Sequence, residues 1–421
     1  MGSYRLHTHQ RSRFIRLPEA FQVNKNMKRI LIVNNNMHIG GVQKALLNLL
    51  HELRTDYDIT LLLFYCGGEL YDKLPDGIRV ISAARPFRYW GMSKDDTKTF
   101  SARLLRAFWA SLTELFGRSF GFRLASLVQK RLSGFDASIS FLHSGPSRVF
   151  YGGCNEFVLD CVDAKRKFTF LHCDYGAISA QSEYNEKIYQ QFDAIAACSE
   201  GCKRAFLRVA PQFAEKTLVV PNFQNYGLIR KMAQAQPISL EHDRWNILTV
   251  ARFGREKGIP RALRAVADLG EQTSKIHYYI IGDGLEYAQA QQIILDLGLS
   301  DTVFLLKAMD NPYGYMQAAD VLMVPSYSEA APMVICEAAS LGTPILTTQT
   351  SSAVEMVQNT SFGWVCPNTQ EGITQGIKQL LNSPHELTEK QKTLRTAIFD
   401  NTAARQSFLE LINNYEKVNE T

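Results

Sequence analysis

The sequence lacks the features that define several large protein classes. No apolar run approaches the roughly 18 uncharged residues that a membrane-spanning helix needs. Apolar residues make up 46% of the chain and charged residues 21%, close to the average of globular domains, which excludes a disordered or fibrous chain. With 421 residues, the chain has room for two or three domains and for a full core without disulfide or metal staples.

Cysteine patterns of metal sites are also absent. There are eight cysteines but no Cys-x-x-Cys pair, and Cys198 and Cys202 are four residues apart. Residues 1–26 have no apolar core of a signal peptide, and Leu6 stands where a myristoylation motif requires Ser or Thr. We therefore expect reduced structural thiols in a cytoplasmic protein.

The net charge of +5 is small but unevenly distributed. Residues 1–26 contribute +4 and residues 82–131 contribute +7, so the rest of the chain sums to −6. We expect no nucleic-acid partner from so small an excess. Residues 1–26 are interpreted as a disordered extension, an upstream start or a remnant of expression rather than a functional arm, because Met27 and its apolar run look like a natural start.

Residues 82–131 interleave their basic residues with aromatic ones. From Leu104 onward, apolar residues recur every three or four positions, which predicts an amphipathic helix. Such a helix either rests on an anionic membrane surface or docks its apolar stripe on the protein's own core. The first alternative would make the protein peripheral on the inner face of the plasma membrane.

Short apolar runs alternate with amphipathic helices in two series. The predicted strands are 29–33, 59–64, 137–142, 168–171, 194–197 and 217–220, then 246–250, 277–281, 303–306, 320–324 and 343–347. The predicted helices include 41–53, 259–269, 285–297, 333–341 and 402–415. This alternation is typical of parallel sheets covered on both faces.

The two series predict an α/β protein with two Rossmann-like, doubly wound domains that face each other across a cleft. We place the first domain at 27–224 and the second at 225–395, with the break in the polar stretch after Asn222. A C-terminal helix within 396–421 is expected to pack back on the first domain. Ligands of doubly wound sheets bind outside the carboxyl ends of the strands, so the cleft is the expected site of chemistry.

Gly40 and Gly41 follow the first predicted strand. Glycine lets the backbone approach a phosphate, and the following helix offers free N–H groups. A tight turn is the alternative interpretation. Val42 breaks the Gly-x-Gly-x-x-Gly spacing, and no Walker lysine spacing occurs, although Lys44 is nearby. A dehydrogenase is therefore disfavoured.

Two further turns follow strands of the second domain. Arg252 and Lys257 come after its first strand, and their forked donors and point charge suit a diphosphate, although a solvated charged turn is the alternative. Gly282 and Gly284 follow the next strand and suit a tight turn at the edge of the cleft.

Two glutamates, Glu329 and Glu337, are separated by seven intervening residues, the first in a loop and the second on the helix that follows. Glu337 has apolar neighbours, and a glutamate in such a place is rarely buried without a partner. Two sugar hydroxyl groups would be one such partner.

In this order, Arg-x4-Lys, Gly-x-Gly, and Glu-x7-Glu followed by Gly-Thr-Pro resemble the nucleotide domain of the family-4 retaining glycosyltransferases, which have the GT-B fold and are also called glycosyl transferases group 1. The Gly40-Gly41 pair and the Pro221-Asn222 pair also resemble that family. The similarity extends from about Lys28 to about Lys378.

The resemblance implies a role for each motif. Arg252 and Lys257 would neutralise the donor diphosphate as it leaves, and Glu337 would hold the ribose hydroxyl groups. Glu329 would contact the donor sugar, and Gly41 would let the loop approach the phosphate.

The resemblance implies that the segment after Glu329 binds the donor through its available backbone N–H groups. Its residues are Ala331, Pro332, Met333 and Val334, of which Pro332 has no N–H. The chain departs from the family at Ala330 and Ala331, where Gly and a bulky apolar residue are usual, and this puts the usual sugar preference in doubt. Glu355 matches a glutamate-containing segment of the family loosely.

Two histidines end neighbouring strands of the first domain and are expected to point into the cleft. His143 follows the strand 137–142, and His172 follows 168–171. Each is either a functional group or a satisfied structural histidine. The family commonly has a cleft histidine near His143, and Asp174 would orient His172 or the acceptor.

The resemblance implies a metal-independent hexosyltransferase with retention of configuration. The donor would be a UDP- or GDP-sugar, and the acceptor a glycan or lipid-linked hydroxyl group in bacterial surface polysaccharide or glycolipid assembly. No Asp-x-Asp motif ends a strand, so we expect no metal and no cofactor. The alternatives are a non-hydrolysing sugar-nucleotide epimerase and a non-catalytic sugar-nucleotide-binding partner on the same scaffold.

Overall fold

The computed structural model describes residues 27–241 and 243–413. The expectation for residues 1–26 lies outside the described residues, and so does the end of the predicted C-terminal helix.

The first domain is built on a parallel sheet that has seven strands within the described residues, in the order β3-β2-β1-β4-β5-β6-β7. These strands are β1 (Arg29–Asn34), β2 (Asp58–Leu63), β3 (Arg79–Ser82), β4 (Leu132–Ser140), β5 (Val162–Leu171), β6 (Ala194–Ala197) and β7 (Thr217–Val219). The helices are α1 (Gly41–Leu53), α2 (Arg88–Gly91), α3 (Phe100–Phe116), α4 (Arg118–Ser126), α5 (Cys154–Cys161), α6 (Glu183–Gln190) and α7 (Glu200–Val209).

The second domain has a parallel sheet of six described strands in the order β10-β9-β8-β11-β12-β13. These are β8 (Trp245–Val250), β9 (Ile276–Ile281), β10 (Val303–Leu306), β11 (Val321–Val324), β12 (Ile345–Thr348) and β13 (Gly363–Cys366). The helices are α8 (Tyr226–Ala235), α9 (Ile259–Ala267), α10 (Tyr287–Asp296), α11 (Tyr313–Ala318), α12 (Met333–Ser340), α13 (Gln370–Asn382) and α14 (Pro384–Thr396).

The central strands are apolar along their length because helices cover both faces of each sheet. In β1 every residue after Arg29 is buried, and all residues of β11 are buried. Ile32 pairs with Leu61 of β2 and with Ile139 of β4, so three strands run side by side in one direction. Near-continuous apolar runs of this kind are typical of parallel strands. The predicted fold class, with two Rossmann-like domains, is confirmed.

The last described helix, α15 (Thr402–Asn413), lies on the first domain. The ring of Phe408 lies 5.8 Å from that of Tyr57 and 6.3 Å from that of Phe223, centroid to centroid. Just before this helix, Asn401 Nδ2 donates to the carbonyl of Gln224. The chain therefore crosses back from the second domain and completes the core of the first.

Some elements differ from the sequence-based expectation. β3 and β13 were not among the predicted strands, and both are edge strands with partly exposed residues, where the apolar pattern is weak. The polar stretch 225–243, in which we placed the break between the domains, contains α8, which buries Ile229 and Ala233 in the core of the second domain.

The predicted amphipathic helix in the basic region is present as α3, followed by α4. Only Trp109 and Thr113 of α3 are buried. Leu104 and Phe108, which belong to the predicted apolar stripe, are both more than half exposed. Leu104 and Phe108 therefore do not dock on the described core, whereas Leu112 of the same helix packs against it. In the described part of the chain, no helix has both the length and the apolar character needed to cross a bilayer.

Candidate active site

The candidate site lies where the strand order of each sheet reverses. In the first sheet β1 lies between β2 and β4, and in the second sheet β8 lies between β9 and β11. Such points leave a crevice at the carboxyl ends of the strands. The loop with Gly40 follows β1, and His143 follows β4. Arg252 follows β8, and Glu329 follows β11.

Glu329 lies in the loop after β11, and two side-chain donors hold its carboxylate. Lys257 Nζ and Ser326 Oγ both bind its Oε1, each at 2.7 Å. The side chain of Glu329 is only 11% exposed and that of Lys257 24%, so water screens the ion pair weakly. Ser351 Oγ also donates to the backbone carbonyl of Glu329. The structure therefore joins two of the predicted catalytic residues in one fixed arrangement.

Arg252 takes a different partner. Its Nη2 donates to Glu256 Oε1 at 2.7 Å, and its side chain is 73% exposed. Burial would raise the pKa of Glu256, but the hydrogen bond from Arg252, a backbone hydrogen bond and the charges of Arg252 and Lys257 together outweigh it, and the pKa is lowered. Arg252 and Lys257, predicted to act together on a diphosphate, are therefore each paired with a carboxylate, with Arg252 open to solvent at the rim.

Glycines let the loops of the second domain pack closely. A Cβ on Gly282, at φ +156°, would lie 1.9 Å from the carbonyl oxygen of Ala251. A Cβ on Gly284, at φ +149°, would lie 2.7 Å from that of Phe253. Both glycines thus bring the turn after β9 against the loop that carries Arg252, which gives them a role in positioning that loop.

Glu337 on α12 meets a residue of the first domain. Its side chain is 1% exposed, and Lys44 Nζ of α1 lies 2.5 Å from Oε1. Burial would lower the pKa of Lys44, but the interactions with Glu337 and then Tyr313 together outweigh it and the pKa is raised. Among the described residues, no group donates to either carboxylate oxygen with good hydrogen-bond geometry. Glu337 thus has a balancing charge but keeps hydrogen-bonding capacity.

The segment after Glu329 is anchored to the first domain. Ser199 Oγ donates to the carbonyl of Ala330 at 2.5 Å. Ala330 is buried in the aromatic cluster around Tyr175 and Phe206, so the methyl group that replaces the family's glycine fills a space between the domains. Glu355 Oε1 accepts from Gly201 N across the same interface.

The predicted donor-binding backbone begins α12. The side chains of Pro332 and Met333 are buried, while Ala331 and Val334 are partly exposed. Gln224 Nε2 donates to Met333 at both its carbonyl oxygen and its Sδ. The side chains of Pro332 and Met333 are therefore used for packing, and a ligand would meet their backbone.

Gly40 and Gly41 begin α1 at the edge of the crevice. Gly40 precedes the first helical residue, and a Cβ there would lie 2.7 Å from Gln43 Oε1. A Cβ on Gly41 would meet no atom within 4 Å. The helix terminus at Gly41 is thus open, which is compatible with the predicted close approach of a phosphate.

His143 and His172 are neighbours, as predicted for adjacent strand ends. Burial and then the charge of Arg118 lower the pKa of His143 to about 4. Burial and then His143 lower the pKa of His172 to about 3. Nδ1 of His143 and Nε2 of His172 are buried without a hydrogen-bond partner in the described structure. Both rings are therefore neutral near pH 7.

Asp174 closes a turn, since its Oδ1 accepts from Ala177 N at 3.2 Å. It also lines a cavity of about 360 Å³ between the domains, together with Arg208 of the first and Ser328 and Thr350 of the second. Its predicted contact with the acceptor is thus spatially possible. No hydrogen bond between His172 and the carboxylate of Asp174 is among the contacts of the described residues.

Three side chains of the site were not predicted. Ser326 stands three residues before Glu329, and Lys44 was noted only for lacking Walker spacing. Tyr151, in the loop after β4, has a pKa raised to about 12, first by burial and then by Cys154, while Arg252 of the other domain opposes the rise. Only Ser326 had a local signal, since polar residues beside Glu329 are plausible partners for it.

One cluster of possible metal ligands occurs in the part of the chain that the structure describes. It consists of Glu241, Asp243 and His277. His277 lies near the start of β9, at the amino edge of the sheet, whereas the candidate site lies at the carboxyl edge.

Comparisons with known proteins agree with this architecture. Residues 231–398 match the family glycosyl transferases group 1. The amylovoran biosynthesis glycosyltransferase AmsK of Erwinia amylovora is 31% identical over 148 residues, which cover 33% of this chain and 36% of AmsK. The putative colanic acid biosynthesis glycosyltransferase WcaL of Escherichia coli K12 is 24% identical over 264 residues, which cover 58% of this chain and 61% of WcaL. The chain thus matches less than two thirds of the length of either relative.

A solved structure extends the comparison to both domains. Anabaena HepE in complex with UDP superposes with a TM-score of 0.63 and 16% identity, covering 92% of this chain and all of that chain. At this identity the likeness concerns the fold. We conclude that the chain carries a domain of the glycosyl transferases group 1 family at residues 231–398, within the two-domain GT-B fold.

Proposed function

We propose that the protein is a glycosyltransferase that moves a sugar from a nucleotide-diphosphate sugar to a hydroxyl group of a glycan or lipid-linked acceptor. The observation that carries the proposal is the arrangement at Glu329, whose Oε1 is bound by both Lys257 and Ser326 at 2.7 Å in the interdomain crevice. A carboxylate fixed beside a cation can hold a sugar next to the charge that its leaving group needs.

The relatives indicate the kind of pathway and donor. AmsK and WcaL are named for amylovoran and colanic acid biosynthesis, and the HepE structure contains UDP. We therefore propose that the protein acts in the assembly of a bacterial surface polysaccharide or glycolipid, with a UDP- or GDP-sugar as donor.

The proposed reaction retains the configuration at the anomeric carbon. The bond from this carbon to the diphosphate breaks, and the acceptor oxygen forms a new bond on the same face. The leaving phosphate takes the acceptor's proton. Lys257 and Arg252 stabilise the developing charge, which requires each to exchange its carboxylate partner for a phosphate oxygen. Glu329 orients the sugar, and Glu337 accepts from the ribose hydroxyl groups.

We propose that this step needs no divalent cation. Lys257 and Arg252 both follow β8 and can supply positive charge at the crevice, and the amino end of α12 adds a partial positive charge. Transfer should therefore persist in the presence of EDTA.

A panel of UDP- and GDP-sugars tests the proposal by thermal shift and by slow hydrolysis without acceptor. Hydrolysis with retained configuration is expected, and Glu329→Gln or Lys257→Ala should reduce it at least 100-fold while the fold persists. Glu271→Gln, at an exposed position of the same domain, is the control and should leave the rate unchanged.

Other outcomes identify the competing functions. Formation of an epimeric sugar nucleotide would favour a non-hydrolysing epimerase on the same scaffold. Tight binding without turnover, equal in the unaltered protein and in Glu329→Gln, would favour a non-catalytic binding partner and would overturn the transferase.

A further inference from the structure

We propose that the α3–α4 hairpin is a docking surface for an anionic phospholipid leaflet. Within the described residues, ten large apolar side chains between 100 and 128 are exposed. Phe100 is 77% exposed, Leu115 69% and Leu127 80%. The exposed apolar side chains of residues 100–128 are called the hairpin patch below.

Part of the hairpin patch lies on α3, whose other face is already packed. Trp109 of α3 is buried with its ring 5.0 Å from that of Trp90, and Thr113 is fully buried one turn later. Leu104, Phe108 and Leu115 are separated by four and seven residues, so they share the opposite face. The helix is therefore held by one side and presents a second apolar side to solvent. Several exposed large apolar side chains on one face of a helix indicate an interaction site.

The charged residues near the hairpin patch favour one kind of partner, an anionic surface. The exposed cations from 94 to 131 are Lys94, Lys98, Arg103, Arg123, Lys130 and Arg131. The exposed acidic residues from 94 to 131 are Asp95 and Glu114. Exposed apolar side chains with an excess of exposed lysine and arginine in the same segment match the interface of a leaflet with anionic head groups. A second copy of the chain would bring the same positive charge against itself, which disfavours a symmetric dimer through this face.

The hairpin is tied to the rim of the candidate site. Arg118, the first residue of α4, is fully buried and pairs with Glu156 at 2.6 Å. Its backbone N–H donates to the carbonyl of Ser147, and its Nη1 donates to the carbonyl of Tyr151, both in the loop after β4 that carries His143. A leaflet on the hairpin would therefore lie beside the crevice. The consequence for catalysis rests on the proposed function, because the leaflet would bring a lipid-linked acceptor to the site.

The contact would be interfacial. No helix of the described chain can span a bilayer, and α3 has only 17 residues. Binding should be reversible and weakened by salt, because part of it is electrostatic and is screened within about 10 Å at 0.1 M ionic strength.

Flotation of the full chain with vesicles tests the proposal. The protein should bind vesicles with 30% phosphatidylglycerol and remain unbound with pure phosphatidylcholine. The variant Leu104→Ser/Leu115→Ser/Leu127→Ser should lose binding at least tenfold. Leu285→Ser/Leu295→Ser is the matched control, because these leucines are also exposed but lie on the second domain.

A charge variant tests the electrostatic component of vesicle binding. Lys94→Gln/Lys98→Gln/Lys130→Gln should weaken binding to anionic vesicles about 100-fold, since each lysine near such a surface strengthens binding about fivefold. Arg11→Gln/Arg13→Gln/Arg16→Gln, outside the described residues, should change it little.

Four results would overturn the proposal: no binding to anionic vesicles, equal binding to neutral ones, binding that depends on the arginines at 11–16 instead of the patch, or self-association that the leucine variant abolishes. Hydrolysis of a soluble nucleotide sugar should be equal in the patch variants and the unaltered chain. A loss of vesicle binding with intact hydrolysis therefore separates this proposal from the proposed function.

Discussion

Lys44 and Glu337 form an ion pair that joins the two domains, with Nζ 2.5 Å from Oε1 and the carboxylate side chain 1% exposed. The lysine comes from α1, which follows the Gly40-Gly41 loop, and the glutamate comes from α12. Because Glu337 is buried, its charge is costly unless a cation or a donor stands next to it. The pair therefore links the approach of the domains to the charge state of the residue proposed to hold the nucleotide's ribose.

Lys44→Met should destabilise the protein by about 2 kcal/mol. Loss of one partner of a fully buried pair costs about 3–5 kcal/mol, but a third of the Lys44 side chain is exposed and the cost is smaller. Thermal unfolding measures it, and Lys44→Arg should recover most of the loss. Lys73→Met, which breaks the exposed interdomain pair with Asp310, is the control and should change stability by less than about 0.5 kcal/mol.

The double variant Lys44→Met/Glu337→Gln removes the unpaired charge as well. It should be more stable than Lys44→Met alone. Equal stability of the two variants, or a neutral Lys44→Met, would mean that the ion pair contributes nothing to the closed arrangement.

His38, two residues before Gly40, should titrate above its ordinary pKa of 6.5. Burial would lower the pKa, but Asp96, 2.8 Å from Nε2, and then Glu69, 3.2 Å from Nδ1, outweigh it. The folded chain therefore holds this proton more tightly than the unfolded chain. The stability it contributes is complete below about pH 6.5 and is lost as the pH rises through the raised pKa.

NMR of the His38 ring protons measures this pKa directly. Asp96→Asn removes the nearer charge and should lower the pKa by at least half a unit. A ring that titrates at or below 6.5 in the unaltered protein would contradict the ion pairs at the start of α1.

His143 and His172 should have the opposite effect on stability. Their pKa values are lowered to about 4 and about 3, so the unfolded chain binds protons near pH 6 that the folded chain does not. Stability should therefore fall as the pH drops from about 6.5 toward 4. Urea unfolding at pH 7 and pH 5 checks the direction, with His172→Gln expected to reduce the difference.

His385→Gln is the matched control, because this histidine is exposed on α14. It should leave the pH dependence unchanged. If His172→Gln also leaves it unchanged, the two rings are not buried in their neutral form, and the packing of the cleft around them would differ from that described.

The sequence predicted the fold well because the strand–helix alternation is local. The expectation that the motif residues reach the cleft rests on the same local signal, since each motif follows a strand. The sequence did not predict partners that come from the other domain. Glu337 was expected to need a partner, but Lys44 lies almost 300 residues earlier in the chain. No spacing rule connects two residues that meet only when the domains close.

The amphipathic helix shows a second limit. Periodicity indicated that Leu104 and Phe108 share one face of α3, but it does not say what that face contacts. The same pattern fits a core helix and a surface helix. The structure distinguishes the two cases, because Trp109 on the opposite face of α3 packs against Trp90 of α2. The sequence pattern of α3 alone carries no information about that contact.

Two glycines of the site should respond differently to replacement by alanine, because one is needed for packing and the other is proposed to face the ligand. In Gly282→Ala the new methyl group would lie 1.9 Å from the carbonyl oxygen of Ala251, at a φ of +156° that alanine rarely adopts. We expect a loss of about 3 kcal/mol or more in the free energy of unfolding. In Gly41→Ala the methyl group meets no atom within 4 Å, so the melting temperature should not fall.

Gly41→Ala should instead weaken binding of a nucleotide sugar, by about tenfold, because its methyl group would fill the space through which the loop meets the phosphate. Thermal unfolding and a binding titration of both variants check the contrast. Unchanged binding by Gly41→Ala would remove this loop from the donor site. Unchanged stability of Gly282→Ala would contradict the close packing of the turn after β9 on the loop that carries Arg252.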